Sequence, residues 1–210
     1  MISVLLTGFE PFGGDEINPS WEAVALLGDR GLPGLATARL PVTYDGARAA
    51  LDAAIDRHRP GAVVCTGLAA GRRGITPERI AVNLDDSATP DNAGVRRTES
   101  LIEPAGPVGY FSSLPVSECV RSLDAAGIPA AVSRSAGGFV CNHVFYRLMH
   151  RVATSDPALR GGFVHVPLAP DMLGPDDGQP ALPIATIADG LQVMLDCLGE
   201  LSAHAGLEGA

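Results

Sequence analysis

The stretch YDGARAALDAAIDRHRPGAVVCTG, residues 44–67, places a helix directly before a buried strand. Ala47, Leu51 and Ile55 recur at helical spacing, and Pro60 ends the pattern because proline cannot continue a helix. The run GAVVCTG that follows is short, apolar and bounded by glycines, which is typical of a strand buried on both faces. The stretch therefore predicts one helix-to-strand unit of an α/β protein.

The same alternation continues on both sides of this unit. Further short apolar or alternating runs predict strands at residues 2–8, 35–42, 78–84, 128–133 and 161–168. Helical periodicity predicts helices after Asn18-Pro19 and over residues 115–127, 138–150 and 183–201. Strands that alternate with helices indicate an α/β fold. We expect a single domain over residues 1–210, a three-layer α/β/α sandwich with a mixed, mostly parallel twisted sheet.

Composition and charge exclude several classes of protein. Hydrophobic residues make up 46% of the 210 residues and charged residues 19%, so the chain can bury a core. The net charge of −9 argues against nucleic acid or an anionic membrane as a partner. No apolar run approaches the roughly 18 residues of a membrane helix. The start MISVLLTG lacks the basic and long apolar regions of a secretory signal, so we expect a cytoplasmic protein.

The four cysteines are widely spaced, and none forms a Cys-x-x-Cys pair. A zinc site or a thioredoxin-like motif is therefore not expected. Cys65, Cys119 and Cys197 lie on apolar segments and are predicted to be core thiols. The chain also lacks the glycine-rich phosphate loops of nucleotide-binding proteins.

Cys141 differs from the other cysteines because it follows the small-residue turn SAGG. A helix that begins near Phe139 would place Cys141 in its first turn, where unpaired N–H groups and the helix dipole favour a negative charge. Such a thiol is expected to have a lowered pKa and to act as a nucleophile. The alternative is a small buried hydrophobic residue, and placement alone leaves both open.

A cysteine nucleophile needs a base. His143 is two positions from Cys141, about 200° around a helix, so the two side chains should diverge. His165 stands at the carboxyl end of an apolar strand, an end that a parallel sheet would bring to the same rim as Cys141. His165 is therefore the candidate general base, although it could be a core histidine. For the carboxylate that orients the base, the pattern does not choose between Glu78 and Asp85.

The loop GFEPFGG, residues 8–14, places Phe9 and Phe12 beside the end of the first predicted strand. Two phenylalanines in a glycine-rich loop need an apolar environment. They could fasten the loop to the core, or they could form the walls of a small apolar pocket.

Five motifs together carry a resemblance to a known family. TGFEPFGG…NPS, GLAAGRRGITPERIAVN, PDN, SAGGFVCN and FVHVP occur in this order and at the family's separations. From Leu5 to about Leu198, the chain resembles the pyroglutamyl peptidase I family of cysteine peptidases. The resemblance implies a catalytic triad in which Cys141 is the nucleophile, His165 the base and Glu78 the acid that orients it.

The family also implies a substrate and a mechanism. Its members remove an N-terminal pyroglutamyl residue from peptides through a thioester acyl-enzyme, without a metal or an organic cofactor. In this chain Phe9 and Phe12 would sandwich the lactam ring, with Asn18 near the pocket. Members are often tetrameric, which implies a homo-oligomer, a dimer or a tetramer. The alternatives are a related cysteine hydrolase with a different acyl specificity and a pyroglutamate-binding protein that has lost turnover.

Two positions depart from the family pattern. Ala88 stands two residues before the PDN proline, where members commonly carry an arginine thought to help stabilise the oxyanion. In this chain the stabilisation of the oxyanion would fall to the N–H of Cys141 or to another arginine, from the set Arg72, Arg73, Arg96 and Arg97. His143 occupies a position that is usually aromatic.

Overall fold

A five-stranded sheet forms the centre of the structure, a computed structural model that describes residues 4–199. In these residues the strands are β1 (Val4–Phe9), β2 (Leu35–Leu40), β3 (Ala62–Leu68), β4 (Thr76–Pro77), β5 (Ile80–Val82), β6 (Gly109–Phe111) and β7 (Arg160–Val166). The α-helices are α1 (Pro19–Asp29), α2 (Tyr44–His58), α3 (Val116–Ala125), α4 (Val140–Thr154) and α5 (Ile184–Cys197), with one turn of 3-10 helix at Pro170–Met172.

The main sheet has the order β2-β1-β3-β7-β4. Its first four strands run parallel, whereas the short edge strand β4 runs antiparallel to β7. The predicted mixed, mostly parallel sheet is therefore confirmed. β5 and β6 form a separate two-stranded antiparallel sheet.

The sheet separates two hydrophobic cores, because successive side chains of a strand point to opposite faces. In β1, Leu5 and Phe9 belong to the core on the side of α2 and α4. Val4 and Leu6 belong to the core on the side of α1, α3 and α5. This division produces the three layers predicted from the sequence.

Two predicted strands differ from the structure. The predicted strand over residues 78–84 is reduced to β5, and Glu78 lies between β4 and β5. The predicted strand over residues 128–133 is wrong, since only single bridges form there, between Ala130 and Ile75 and between Ser133 and Glu78. Ala131 and Ser133 donate to the carbonyls of Ile75 and Pro77, but Pro77 has no N–H to donate back to Ala131, so the pairing is interrupted and the segment forms single bridges instead of a strand. Among residues 4–199, no helix is long and apolar enough to cross a membrane.

Candidate active site

The turn before α4 places Cys141 in the first helical turn, as predicted. α4 begins at Val140, after an extended Phe139. Gly137 has φ +79°, a left-handed conformation that favours glycine. At Gly138 a Cβ would lie 2.4 Å from the carbonyl oxygen of Asp86. The two glycines therefore let the chain turn sharply against the neighbouring loop and start the helix.

Gly67 on β3 connects Cys141 to the end of β7. In the parallel register Gly67 is the partner of His165. A Cβ at Gly67 would lie only 2.8 Å from Sγ of Cys141, so the thiol sits directly over this glycine. Cys141 and His165 also line one groove. The structure thus brings these two residues to the same rim of the sheet.

Glu78 is the carboxylate that pairs with His165. Nδ1 of His165 donates to Oε1 of Glu78 over 2.7 Å, and the Glu78 side chain is fully buried. The backbone N–H of Glu78 donates to the carbonyl of Phe163 over 2.8 Å, which fixes the carboxylate beside β7. The bond through Nδ1 leaves Nε2 of His165 as the ring nitrogen that can exchange a proton with a substrate.

Asp85, the other carboxylate that the sequence left open, pairs with His143 instead. Nδ1 of His143 donates to Oδ2 of Asp85 over 2.8 Å, and Arg97 donates to the same oxygen over 3.0 Å. The ring of Tyr44 packs edge-on against His143. This cluster holds the loop that carries Asp85 and Arg97 against α4. It also pairs His143, the histidine nearest to Cys141 in sequence, with a carboxylate of its own.

The acidity of Cys141 differs from the prediction. Burial, followed by the negative charge of Glu78 and the proximity of Cys65, raises the pKa of the Cys141 thiol to about 12. A backbone hydrogen bond within Cys141 acts in the opposite direction but is outweighed. The expected lowered pKa is therefore wrong, because burial beside an acid outweighs the position at the helix N-terminus.

A small apolar cavity opens on one side of Cys141. Its volume is about 80 Å³, and its lining residues are Phe9, Phe12, Asp15, Asn18, Val42, Leu68, Phe139, Val140 and Cys141. The rings of Phe12 and Phe139 lie 5.1 Å apart between centroids. Phe139, Val42 and Leu68 were not predicted as pocket residues. For Phe139 a signal existed, since it directly precedes the helix that carries Cys141.

Asn18 lines this cavity, but its amide is already engaged. Its Oδ1 accepts from the N–H of Ser20 over 3.1 Å and caps α1. Its Nδ2 donates to the carbonyl of Glu10 over 2.9 Å. Asn18 therefore holds the loop with Phe9 and Phe12 in place.

The arginines considered as replacements for the family arginine have different positions. Arg72 lines the groove that contains Cys141 and His165. Arg97 is engaged by Asp85 and Asp45. Ala88, Arg73 and Arg96 are exposed. Within residues 4–199, no group of three or more His, Cys, Asp and Glu side chains could hold a metal ion.

An α/β sandwich with a cysteine in the first turn of a helix, close to a histidine–glutamate pair at a strand end, has the parts of a cysteine hydrolase. The model of the pyroglutamyl peptidase family matches residues 2–200. The chain therefore belongs to the pyroglutamyl peptidase family.

Individual relatives agree over nearly the whole length. The pyrrolidone-carboxylate peptidase of Streptomyces coelicolor is 48% identical over 210 residues, which cover 99% of this chain and 97% of the relative. The enzyme of the same name from Gloeobacter violaceus is 47% identical, covering 93% and 96%. Among solved structures, pyroglutamyl peptidase I of Bacillus amyloliquefaciens superposes with a TM-score of 0.90 at 40% identity, covering 93% of this chain and 94% of that one. The pyrrolidone carboxyl peptidase of Fervidobacterium islandicum has a TM-score of 0.90 at 33% identity, with coverage of 95% and 99%.

Proposed function

We propose that this protein is a cysteine exopeptidase that removes the N-terminal pyroglutamyl residue from peptides. Cys141 is the nucleophile, His165 the general base and acid, and Glu78 the residue that orients His165. The observation that carries the proposal is the position of Cys141, which lines both the apolar cavity and the groove that contains His165. The nucleophile therefore has an acyl pocket on one side and a proton acceptor on the other.

The apolar cavity suits a pyroglutamyl ring. The ring is a flat, uncharged five-membered lactam with one N–H and one carbonyl, and the side chains of Phe9, Phe12 and Phe139 can cover it. An ordinary peptide N-terminus carries an ammonium group, which would be costly to bury among these rings. The pocket thus favours a blocked, cyclised N-terminus over a free one.

The reaction begins with a neutral thiol. As Sγ of Cys141 bonds to the pyroglutamyl carbonyl carbon, its proton passes to Nε2 of His165, and the imidazolium is stabilised by Glu78. The carbonyl oxygen becomes an oxyanion near the N–H of Cys141, one of the first amides of α4, which have no carbonyl partner within the helix. When the C–N bond breaks, Nε2–H of His165 protonates the departing amine and a thioester remains.

Water completes the cycle. His165 takes a proton from the water as the oxygen attacks the thioester carbonyl. The C–S bond then breaks, pyroglutamate leaves, and the proton held by His165 returns to Sγ of Cys141. The whole sequence is carried by the three side chains and requires no redox step.

The direct test is release of aminomethylcoumarin from pyroglutamyl-aminomethylcoumarin. We expect turnover by the wild type, none detectable by Cys141→Ser, and unchanged turnover by Cys197→Ser, whose half-buried thiol lies at the end of α5. Absence of turnover by the folded wild type would contradict the proposal.

A panel of pyroglutamyl, glutamyl and prolyl amides tests the acyl specificity. We expect hydrolysis of the pyroglutamyl amide alone, because the other two carry a charged amine. Preference for another amide would indicate a related hydrolase. A pyroglutamate-like ligand that raises the Tm without any hydrolysis would indicate a binding protein.

The proposal includes the setting of the reaction. The chain acts as one domain over residues 1–210, in the cytoplasm, on N-terminally pyroglutamylated peptides and as a homo-oligomer. The family model, which spans residues 2–200, supports a single domain. Sedimentation equilibrium would measure the mass of the assembly against the 21.6 kDa of one chain.

A further inference from the structure

A second groove also reaches Cys141 and shares Leu68 and Phe139 with the apolar cavity. The loop after β3 contributes Ala69 and Arg72, and the turn before α4 contributes Ala136 and Gly137. His165 lines this groove but not the apolar cavity. The nucleophile therefore stands between two spaces of different chemistry.

The position of His165 assigns the second groove to the leaving peptide. Under the proposed function, His165 must protonate the amine nitrogen as the C–N bond breaks, which requires hydrogen-bond distance. The ring of the pyroglutamyl residue occupies the apolar cavity, so the leaving nitrogen and the residue that carries it extend toward His165. The small side chains of Ala69, Ala136 and Gly137 leave room for that residue.

The groove is positively charged although the chain as a whole is acidic. The residues that line it include one arginine, Arg72, and no aspartate or glutamate, in a chain of net charge −9. Glu78 contacts both His165 and Arg72, but its side chain is fully buried and does not line the groove. The charge that the groove offers to a ligand is therefore cationic.

Arg72 is the cation that is fixed in the groove. Its Nη2 lies 3.4 Å from Oε1 of Glu78, 3.1 Å from Oγ of Ser133 and 3.3 Å from the carbonyl oxygen of Ser135. These three contacts to described residues use one nitrogen and leave Nη1 and Nε as donors for a ligand. The side chain is 33% exposed, so the guanidinium is held in place yet accessible.

We propose that this groove binds the first residue of the leaving peptide and that Arg72 makes it prefer a carboxylate there. The inference rests on the proposed function and adds a substrate class to it. The carboxylate can come from an aspartate or glutamate side chain, or from the free C-terminus of a pyroglutamyl dipeptide. Both sources present the same anion one residue beyond the cleaved bond.

Isosteric substrate pairs test the preference. We expect kcat/KM for pyroglutamyl-Asp-Ala amide to exceed that for pyroglutamyl-Asn-Ala amide by about two- to fivefold at low salt, the range of a partly exposed charge pair, and to lose most of this advantage at high salt. The second pair is pyroglutamyl-Ala with a free carboxylate against pyroglutamyl-Ala amide. The two pairs distinguish the side-chain source of the anion from the C-terminal source.

Variants assign the preference to Arg72. Because Arg72 also contacts Glu78, Arg72→Gln can lower all rates, so the readout is the ratio within each substrate pair. We expect this ratio to fall to about one in Arg72→Gln, to be partly restored in Arg72→Lys and to stay at the wild-type value in Arg121→Gln, an exposed position on α3.

Two results would overturn the inference. One is a ratio of one for both pairs in the wild type, and the other is a wild-type ratio that survives in Arg72→Gln. Either can occur while pyroglutamyl-aminomethylcoumarin is still hydrolysed, which would leave the proposed function intact. Loss of that hydrolysis in the wild type would instead contradict the proposed function itself.

Discussion

Gly67 shows how little space a single residue leaves around the nucleophile. A methyl group at this position would approach Sγ of Cys141 to 2.8 Å and a ring carbon of Phe163 to 2.9 Å. We expect Gly67→Ala to displace the thiol and to lower kcat/KM by about 10²-fold, the effect typical of a misplacement near 1 Å. Gly178→Ala, at a site with open space, is the control and should leave kcat/KM unchanged. Equal kinetics of the two variants would contradict the close approach.

The thiol of Cys141 should be protonated at neutral pH before a substrate binds. Since burial raises its pKa to about 12, the thiolate fraction is small at pH 7. As long as the pH stays below the pKa, this fraction rises about tenfold with each unit by which the pH is raised. We expect the rate of alkylation by iodoacetamide, followed at the Cys141 peptide by mass spectrometry, to keep rising above pH 9. A plateau between pH 6 and 8 would show a preformed thiolate–imidazolium pair and would contradict this expectation.

Glu78 and Asp85 can be separated by matched amide substitutions. Glu78→Gln replaces the acceptor of the Nδ1–H of His165, and we expect kcat to fall by about 10²–10⁴-fold. Asp85→Asn changes the pair with His143, so we expect a lower Tm with kcat within about tenfold of wild type. The reverse pattern in steady-state kinetics would assign the orienting role to Asp85.

The sequence could propose both carboxylates but could not choose between them from the pattern. Both lie in the segment around β5, and the choice depends on which one the fold turns toward β7. Glu78 is placed by its backbone bond to Phe163, a contact between segments far apart in the chain. The pKa of Cys141 was mispredicted for a similar reason, because helix position is local whereas burial is tertiary.

At the scale of elements, α4 is anchored to β5 by Asn142. Its Nδ2 donates to the carbonyls of Val82 and Leu84, each over 2.9 Å, and its Oδ1 accepts from the N–H of Val82 over 3.0 Å. We expect Asn142→Ala to lower the free energy of unfolding by about 2–4 kcal/mol, because buried backbone groups lose their partners. Urea denaturation would measure this, with Gln179→Ala, an exposed control, within about 0.5 kcal/mol of wild type. A similar small change in both variants would contradict the anchoring role.

The elements differ in how well the sequence predicts them. β1, β3 and β7 were predicted because strands buried on both faces are continuous apolar runs. The segment 128–133 has a similar composition, yet Pro77 in the neighbouring β4 lacks the N–H that would complete the ladder, so the segment keeps only single bridges. Composition therefore identifies the central strands, while the extent of pairing at the edge depends on neighbours that the local pattern does not reveal.

At the scale of the whole molecule, buried thiols make stability depend on alkaline pH. Burial raises the pKa of Cys65 to about 12, and burial together with the nearby Cys197 does the same for Cys119. Above the usual thiol pKa near 8.5, the unfolded chain releases these protons while the folded protein retains them. Stability is therefore fully present below about pH 8.5 and is lost as the pH rises toward 12.

We expect the free energy of unfolding to fall by roughly 1 kcal/mol per thiol for each pH unit in that window. Urea denaturation between pH 8 and 10.5 would measure the slope. Cys65→Ala should reduce the slope, whatever its effect on stability at pH 8. An unchanged slope would show that Cys65 does not retain its proton in the folded state.

The place of β7 in the sheet determines the order in which the residues of the site come together. Along residues 4–199 β7 is the last strand, yet in the sheet it lies between β3 and β4. Cys141 therefore leaves the ribosome before His165 does, and His165 meets Glu78, 87 positions earlier, only after β7 has inserted. The histidine–glutamate pair beside Cys141 is therefore assembled only when the sheet itself is assembled, so the base of the site and the centre of the fold form in the same step.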